Sequence, residues 1–107
     1  MINLKNILDE AKKLQEEIVK NRRYLHQNAE FSHNLPITTE YIVDKLTEME
    51  YEPQVITESA IVALAGGKKE GKTFLIRADI DALPIIEENN LEYKSVTQNM
   101  HACGHDT

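Results

Sequence analysis

The sequence has no tryptophan and one cysteine, and its 107 residues include only four glycines and three prolines. A single cysteine, Cys103, excludes an internal disulfide, so packing must hold the chain together, and it fits a reducing cytoplasm. Basic residues are outnumbered: 12 Lys and Arg stand against 18 Asp and Glu, a net charge of −6 spread along the chain. Binding phosphates needs a cationic face, so no nucleic-acid partner is expected. No run reaches the roughly 20 apolar residues of a membrane span, so no membrane partner is expected. The opening stretch MINLKNILDEAKKLQEE has no continuous apolar core of the secretory kind. What remains is ordinary: 41% hydrophobic and 28% charged residues, enough apolar material for the core of a soluble domain.

Ile7, Ala11, Leu14, Ile18 and Leu25 recur at helical spacing, with Glu, Lys and Gln between them. The spacing predicts one long amphipathic helix from Leu4 to about Leu25. A second helix is expected from Asn34-Leu35-Pro36, with Asn34 as the cap and Pro36 in the first turn, where its missing N–H costs little. Ile42, Leu46 and Met49 give it a buried stripe, and Tyr51-Glu52-Pro53 ends it. Beyond Pro53 the pattern shifts to short runs rich in Val, Ile, Leu and Phe: residues 54–57, 60–65 and 73–78. Gly66 to Gly71 reads as an exposed hairpin turn between the last two. The run Phe74-Leu75-Ile76-Arg77-Ala78 is apolar enough for a strand covered on both faces. Residues 87–99 are polar and expected to be irregular. Two helices followed by strands predict an α/β layer around a mixed sheet.

Chemistry-bearing residues gather in two places. His101, Cys103 and His105 alternate near the end of the sequence. In extended backbone, residues two apart share a side, so Cys103 and His105 could meet one ion. Thiolate and neutral imidazole suit zinc or a similar borderline metal, though zinc needs three or four protein ligands. A buried cysteine beside two surface histidines, or a nucleophilic Cys–His pair without an orienting Asn or Asp, are the competing readings. The second cluster is Arg77-Ala78-Asp79-Ile80-Asp81, at the carboxyl end of the expected central strand, where open α/β sheets place ligands. Asp79 and Asp81 could serve as metal ligand, ligand orienter or base; equally, one could cap a turn while the other is solvated. Arg77 could pair with either.

Together RADIDALPIIEE and MHACGHD resemble the signature of the amidohydrolase branch of metallopeptidase family twenty. This branch includes hippurate hydrolase, N-acyl-amino-acid amidohydrolases, N-acetyl-diaminopimelate deacetylase and auxin-conjugate hydrolases. RRYLHQNAE, residues 22–30, resembles a third motif, usually Arg-Arg-x-Leu-His-x-x-Pro-Glu, and the order and spacing of all three agree. The resemblance implies a zinc-peptidase-like fold, of which residues 1–107 form the N-terminal portion of the catalytic domain. It implies that Cys103 and His105 bind a centre of two divalent ions (zinc, manganese, cobalt or nickel). A Glu and two His, and a further Glu as general base, would come from later sequence. Asp81 matches the family's site carboxylate that orients a ligand or tunes its basicity. At the position of Asp79 related peptidases carry a His ligand, so its role stays open. His101 is part of the motif without being a usual ligand, and the motif around His26 supports packing near the site.

The activity implied is hydrolysis of the amide of an N-acyl amino acid or similar peptide-like substrate by a full-length protein that is a homodimer through a smaller domain. The alternative is a truncated, non-catalytic product with weak metal binding. The 107 residues alone are expected to be inactive, because the remaining ligands and base are not among them. Three departures touch local geometry: Ala29 for the usual Pro, Ala60 where Gly is common, and Asn99 where Gly is common.

Overall fold

The computed structural model describes residues 3–106. Helix α1 (Leu4–Lys13) starts at Asn3, whose side-chain oxygen accepts the Lys5 amide at 3.0 Å. Lys12 and Lys13 in its last turn oppose the negative end of the helix dipole. The long helix expected over 4–25 is broken at Leu14, and α2 (Gln15–Gln27) follows at once. At Leu14 the backbone N–H bonds back to Ala11, which tightens the turn. None of the side chains of α1 is buried, so packing exerts no pull toward a continuous helix.

Helix α2 ends at Asn28, which donates to the Tyr24 carbonyl from both its backbone N–H and its Nδ2. Helix α3 (Pro36–Glu48) opens with Pro36, as expected. Its cap is not Asn34. The residue at the cap position is Leu35, and the orphan amides of Ile37 and Thr38 donate instead to the Glu30 carboxylate, at 3.2 and 2.6 Å. At the other end Glu50 takes φ +65°; its amide reaches the Thr47 carbonyl and that of Tyr51 reaches Leu46. This is a left-handed helix stop, made here without glycine. Tyr24 and Tyr41 stack between α2 and α3 with ring centroids 4.1 Å apart, and the Tyr41 hydroxyl donates to Asn21 Oδ1 at 2.7 Å.

Strands β1 (Gln54–Thr57) and β2 (Ala60–Val62) form an antiparallel pair with an irregularity between Val55 and Thr57. Their turn is tied to α3 by a bond from Thr39 Oγ1 to the Glu58 carbonyl. Ala60 pairs with Thr57 and is not among the residues with positive φ, so the usual Gly is not needed there. The architecture is α/β, three helices and a small sheet.

The strand expected at 73–78 does not form. Phe74, Leu75 and Ile76 are 83, 90 and 94% exposed, and no ladder joins them to residues 60–65. A strand buried on both faces needs bonded neighbours and covering layers, and the two-stranded pair supplies neither. Gly66 and Gly67 do take positive φ, +83° and +89°, but they connect unpaired chain. Beyond the pair, the described residues make two isolated bridges, Phe31 with Ala82 (parallel) and Leu83 with Met100 (antiparallel). The buried centre lies here, at the junction of α2, α3 and residues 82–99: Ala29, Leu35 and Ala82 with the polar side chains His26, Thr38, Glu87 and Ser95. Ala29, in place of the usual proline, is fully buried in that centre.

Candidate metal centre and its support

The segment carrying Cys103 and His105 is held from its N-terminal side. Met100 exchanges two backbone bonds with Leu83, 2.9 and 3.0 Å long. The Val96 amide donates to the Gln27 carbonyl at 2.9 Å and Thr97 Oγ1 to Ala29 O at 2.7 Å, tying the segment to the end of α2. Ser95 Oγ donates to the Asn99 carbonyl at 2.6 Å, closing the polar loop on itself. Residues 87–99 are irregular, as their composition suggested, but they are ordered by these bonds.

Beneath this loop sits a buried polar pair. His26 Nε2 lies 2.7 Å from Glu87 Oε1, with side-chain exposures of 7% and 0%. Glu87 also accepts the Ser95 amide at 2.8 Å and Asn89 Nδ2 at 3.2 Å. The Ser95 bond, ahead of those from His26 and Asn89, holds the Glu87 carboxyl below its ordinary range against the opposing effect of burial. The His26 ring meets Tyr93 edge-on at 6.0 Å, and the His101 ring lies 6.5 Å away. Arg23 covers the other partner, its guanidinium 4.5 Å from the Tyr93 ring.

Cys103 is a half-buried thiol and His105 an exposed imidazole on a short 3-10 turn, Gly104–Asp106. The alternation expected of extended backbone does not apply to them, because the chain tightens after Cys103. Asp81 is exposed and precedes the Ala82 and Leu83 bridges. With Asp79 it lines an open cleft of about 780 Å³ against α3 and β2; no residue of 100–106 lines that cleft. Asp79 accepts from Arg77 Nη2 at 2.6 Å, an exposed ion pair. Thiolate and imidazole are suitable donors for a borderline divalent ion. Among the described residues, however, no three His, Cys, Asp or Glu side chains come together as a closed set.

No family model matches the chain. It is 46% identical over 92 residues to an uncharacterized hydrolase of Staphylococcus haemolyticus, covering 85% of this chain and 24% of that protein. It is 36% identical over 107 residues to thermostable carboxypeptidase 2 of Saccharolobus solfataricus, covering 97% of this chain and 27% of that one. The chain thus spans about a quarter of the length of the curated relatives it matches. Among solved structures, the Bacillus subtilis YXEP protein, a dinuclear metal binding peptidase from the M20 family, superposes with a TM-score of 0.81 at 38% identity. That match covers 89% of this chain and 27% of the other. Along the residues it spans, the chain is similar in sequence and fold to a dinuclear metal binding peptidase of the M20 family.

The likeness to this family was legible in the sequence; the bonds that support the segment were not. Glu87 and Ser95 carried no assigned role, and the neighbouring Ile85 and Ile86 are exposed, so nothing local signalled the burial of Glu87. Glu30, treated as part of a motif without chemistry, caps α3.

Proposed function

We propose that this chain contributes two metal donors, Cys103 and His105, and an orienting carboxylate, Asp81, to a two-metal hydrolase of N-acyl amino acids or similar peptide-like amides. The observation that carries this reading is the likeness to a dinuclear M20 peptidase at 38% identity and TM-score 0.81. The same span includes the sequence MHACGHD, in which a soft and a borderline donor stand together. Two divalent ions held there, zinc, manganese, cobalt or nickel, would supply Lewis acidity toward the scissile carbonyl and acidify a water to near neutral pH. Cys103 and His105 would hold them with little added negative charge. Asp81 orients a ligand or raises its basicity, a role that needs the carboxylate next to the donors when the site is closed. Residues 1–107 are the N-terminal portion of the catalytic domain, and the native protein is a homodimer. A thiolate ligand stays reduced in the cytoplasm, which supports placing the protein there.

Cobalt(II) added to the purified chain tests the donor set. A thiolate-to-cobalt charge-transfer band is expected, abolished in Cys103→Ala and altered in His105→Ala. In the native protein, the Asp81→Asn change is expected to lower metal affinity about tenfold, with hydrolysis of N-acetyl or N-benzoyl amino acids falling in step. Hydrolysis that survives both chelation and Cys103→Ala would refute the proposal.

A further inference from the structure

We propose that His26 and Glu87 are positioning residues: a buried pair that clamps the segment 95–101 onto α2 and so sets where Cys103 and His105 can reach. This rests on the metal-donor reading above. The geometry supplies a continuous path. The His26 ring bonds Glu87 at 2.7 Å, and Glu87 in turn takes the Ser95 amide at 2.8 Å. From Ser95 the path runs through its hydroxyl to Asn99 O at 2.6 Å, and next in sequence stands Met100, paired with Leu83, two residues after Asp81. His26 also lies ring to ring with His101, two residues before Cys103.

A fully buried carboxylate is costly to keep unless every lone pair facing the interior finds a donor. Glu87 finds three, from α2, from Asn89 and from the loop backbone, so one side chain fixes three pieces of chain relative to each other. Donor placement matters because a metal site tolerates little error, and groups behind the ligands typically change affinity by about 10- to 100-fold. Neither His26 nor Glu87 touches the reacting atoms in this arrangement; both act through the loop.

The test compares His26→Gln, which keeps a hydrogen-bond donor, with His26→Phe, which keeps a ring and loses the donor, and with Glu87→Gln. Cobalt(II) is the probe, and the readouts are its affinity and the position of the Cys103-dependent band. The expected result is an affinity loss of about tenfold with a displaced band for His26→Phe and Glu87→Gln. His26→Gln should restore most of both, and helical circular dichroism should be unchanged in all three. Wild-type affinity and band in His26→Phe and Glu87→Gln would overturn the proposal, as would equal losses in Gln and Phe variants accompanied by lost helix. A second readout needs no metal: the rate at which iodoacetamide alkylates Cys103. It should rise in His26→Phe and stay near wild type in His26→Gln. If wild-type cobalt binding proves independent of Cys103, the metal-donor reading fails. The alkylation rates then decide the clamp: equal rates in wild type and His26→Phe overturn it, and a faster rate in His26→Phe alone upholds it.

Discussion

The start of α3 offers the sharpest test of the physical reasoning, because the residue that caps it lies six positions before Pro36. Glu30 accepts the amides of Thr38 at 2.6 Å and Ile37 at 3.2 Å, while its own backbone carbonyl accepts the Ala82 amide at 2.7 Å. Glu30→Ala removes the cap and leaves the backbone bond, so the two contributions separate cleanly. A hydrogen bond to a charged group is worth about 1.5–3 kcal/mol when well formed, and N-cap deletions cost about 0.5–2. The Thr38 bond is short and half-buried; the Ile37 bond is long and exposed, and contributes little. The carboxylate also faces the positive helix end, about 0.3–1 kcal/mol more. The loss expected for Glu30→Ala is therefore about 2 kcal/mol, and about 1 kcal/mol for Glu30→Gln, which keeps an acceptor without the charge. Urea unfolding followed by far-ultraviolet circular dichroism reads this as a midpoint about 1 M lower for the alanine variant, given ordinary slopes for small chains. Asn34→Ala serves as the control and should shift the midpoint little. If Asn34→Ala is costly and both Glu30 variants match wild type, the cap is the local one and the long-range assignment is wrong.

Two further outcomes follow from the same structure. Glu50 holds φ +65° at the stop of α3, a conformation costing a non-glycine residue about 1 kcal/mol or more. Glu50→Gly should raise stability by about 0.5–1 kcal/mol once glycine's larger unfolded-state entropy is set against the relief, whereas Glu50→Ala should gain nothing; the same urea series checks both. Glu87 titrates below the ordinary glutamate range in the folded chain. Its stabilisation is thus complete above the unfolded value and is lost as pH falls through the folded value. The gap in unfolding midpoint between wild type and Glu87→Gln should close on the acid side of the ordinary glutamate range, and a gap independent of pH would contradict the assignment.

Local rules placed α3 well, missed the break between α1 and α2, and read the helix ends less well. The apolar spacing of Ile42 and Leu46, with Pro36 in the first turn, placed α3 correctly. The N-cap rule nominated Asn34 because it considers only the adjacent residue, whereas Glu30 reaches its amides across a loop. The stop at Glu50 was equally hidden, since a glutamate carries no signal for the left-handed region that glycine would advertise. Residues 73–78 show a different limit. Their apolar run states what the segment would bury, not what is there to bury it. The chain exposes 9340 Å², against about 6,100 Å² for a compact monomer of its mass. Its radius of gyration is 16.0 Å, against about 13 Å for a compact chain of this length. With that much surface open, Phe74, Leu75 and Ile76 find no sheet to join, and the apolar run yields no strand.

The candidate site divides along the same line. Residue types and spacing drew attention to Cys103, His105 and Asp81 but left structural readings open, and their roles came from the resemblance of the motifs that hold them. Glu87 did not stand out, because a glutamate in a polar stretch looks like solvated surface. Its burial is produced by groups far away in sequence: His26 on α2, 61 residues earlier, and the Ser95 amide. A buried acid is made by its partners, and the partners are assembled only by the fold. That is also why the pair bears on function. The same bonds that let a carboxylate sit at zero exposure dictate the path of the loop that follows it, so under the proposed function the burial of Glu87 and the placement of Cys103 and His105 are set by one arrangement.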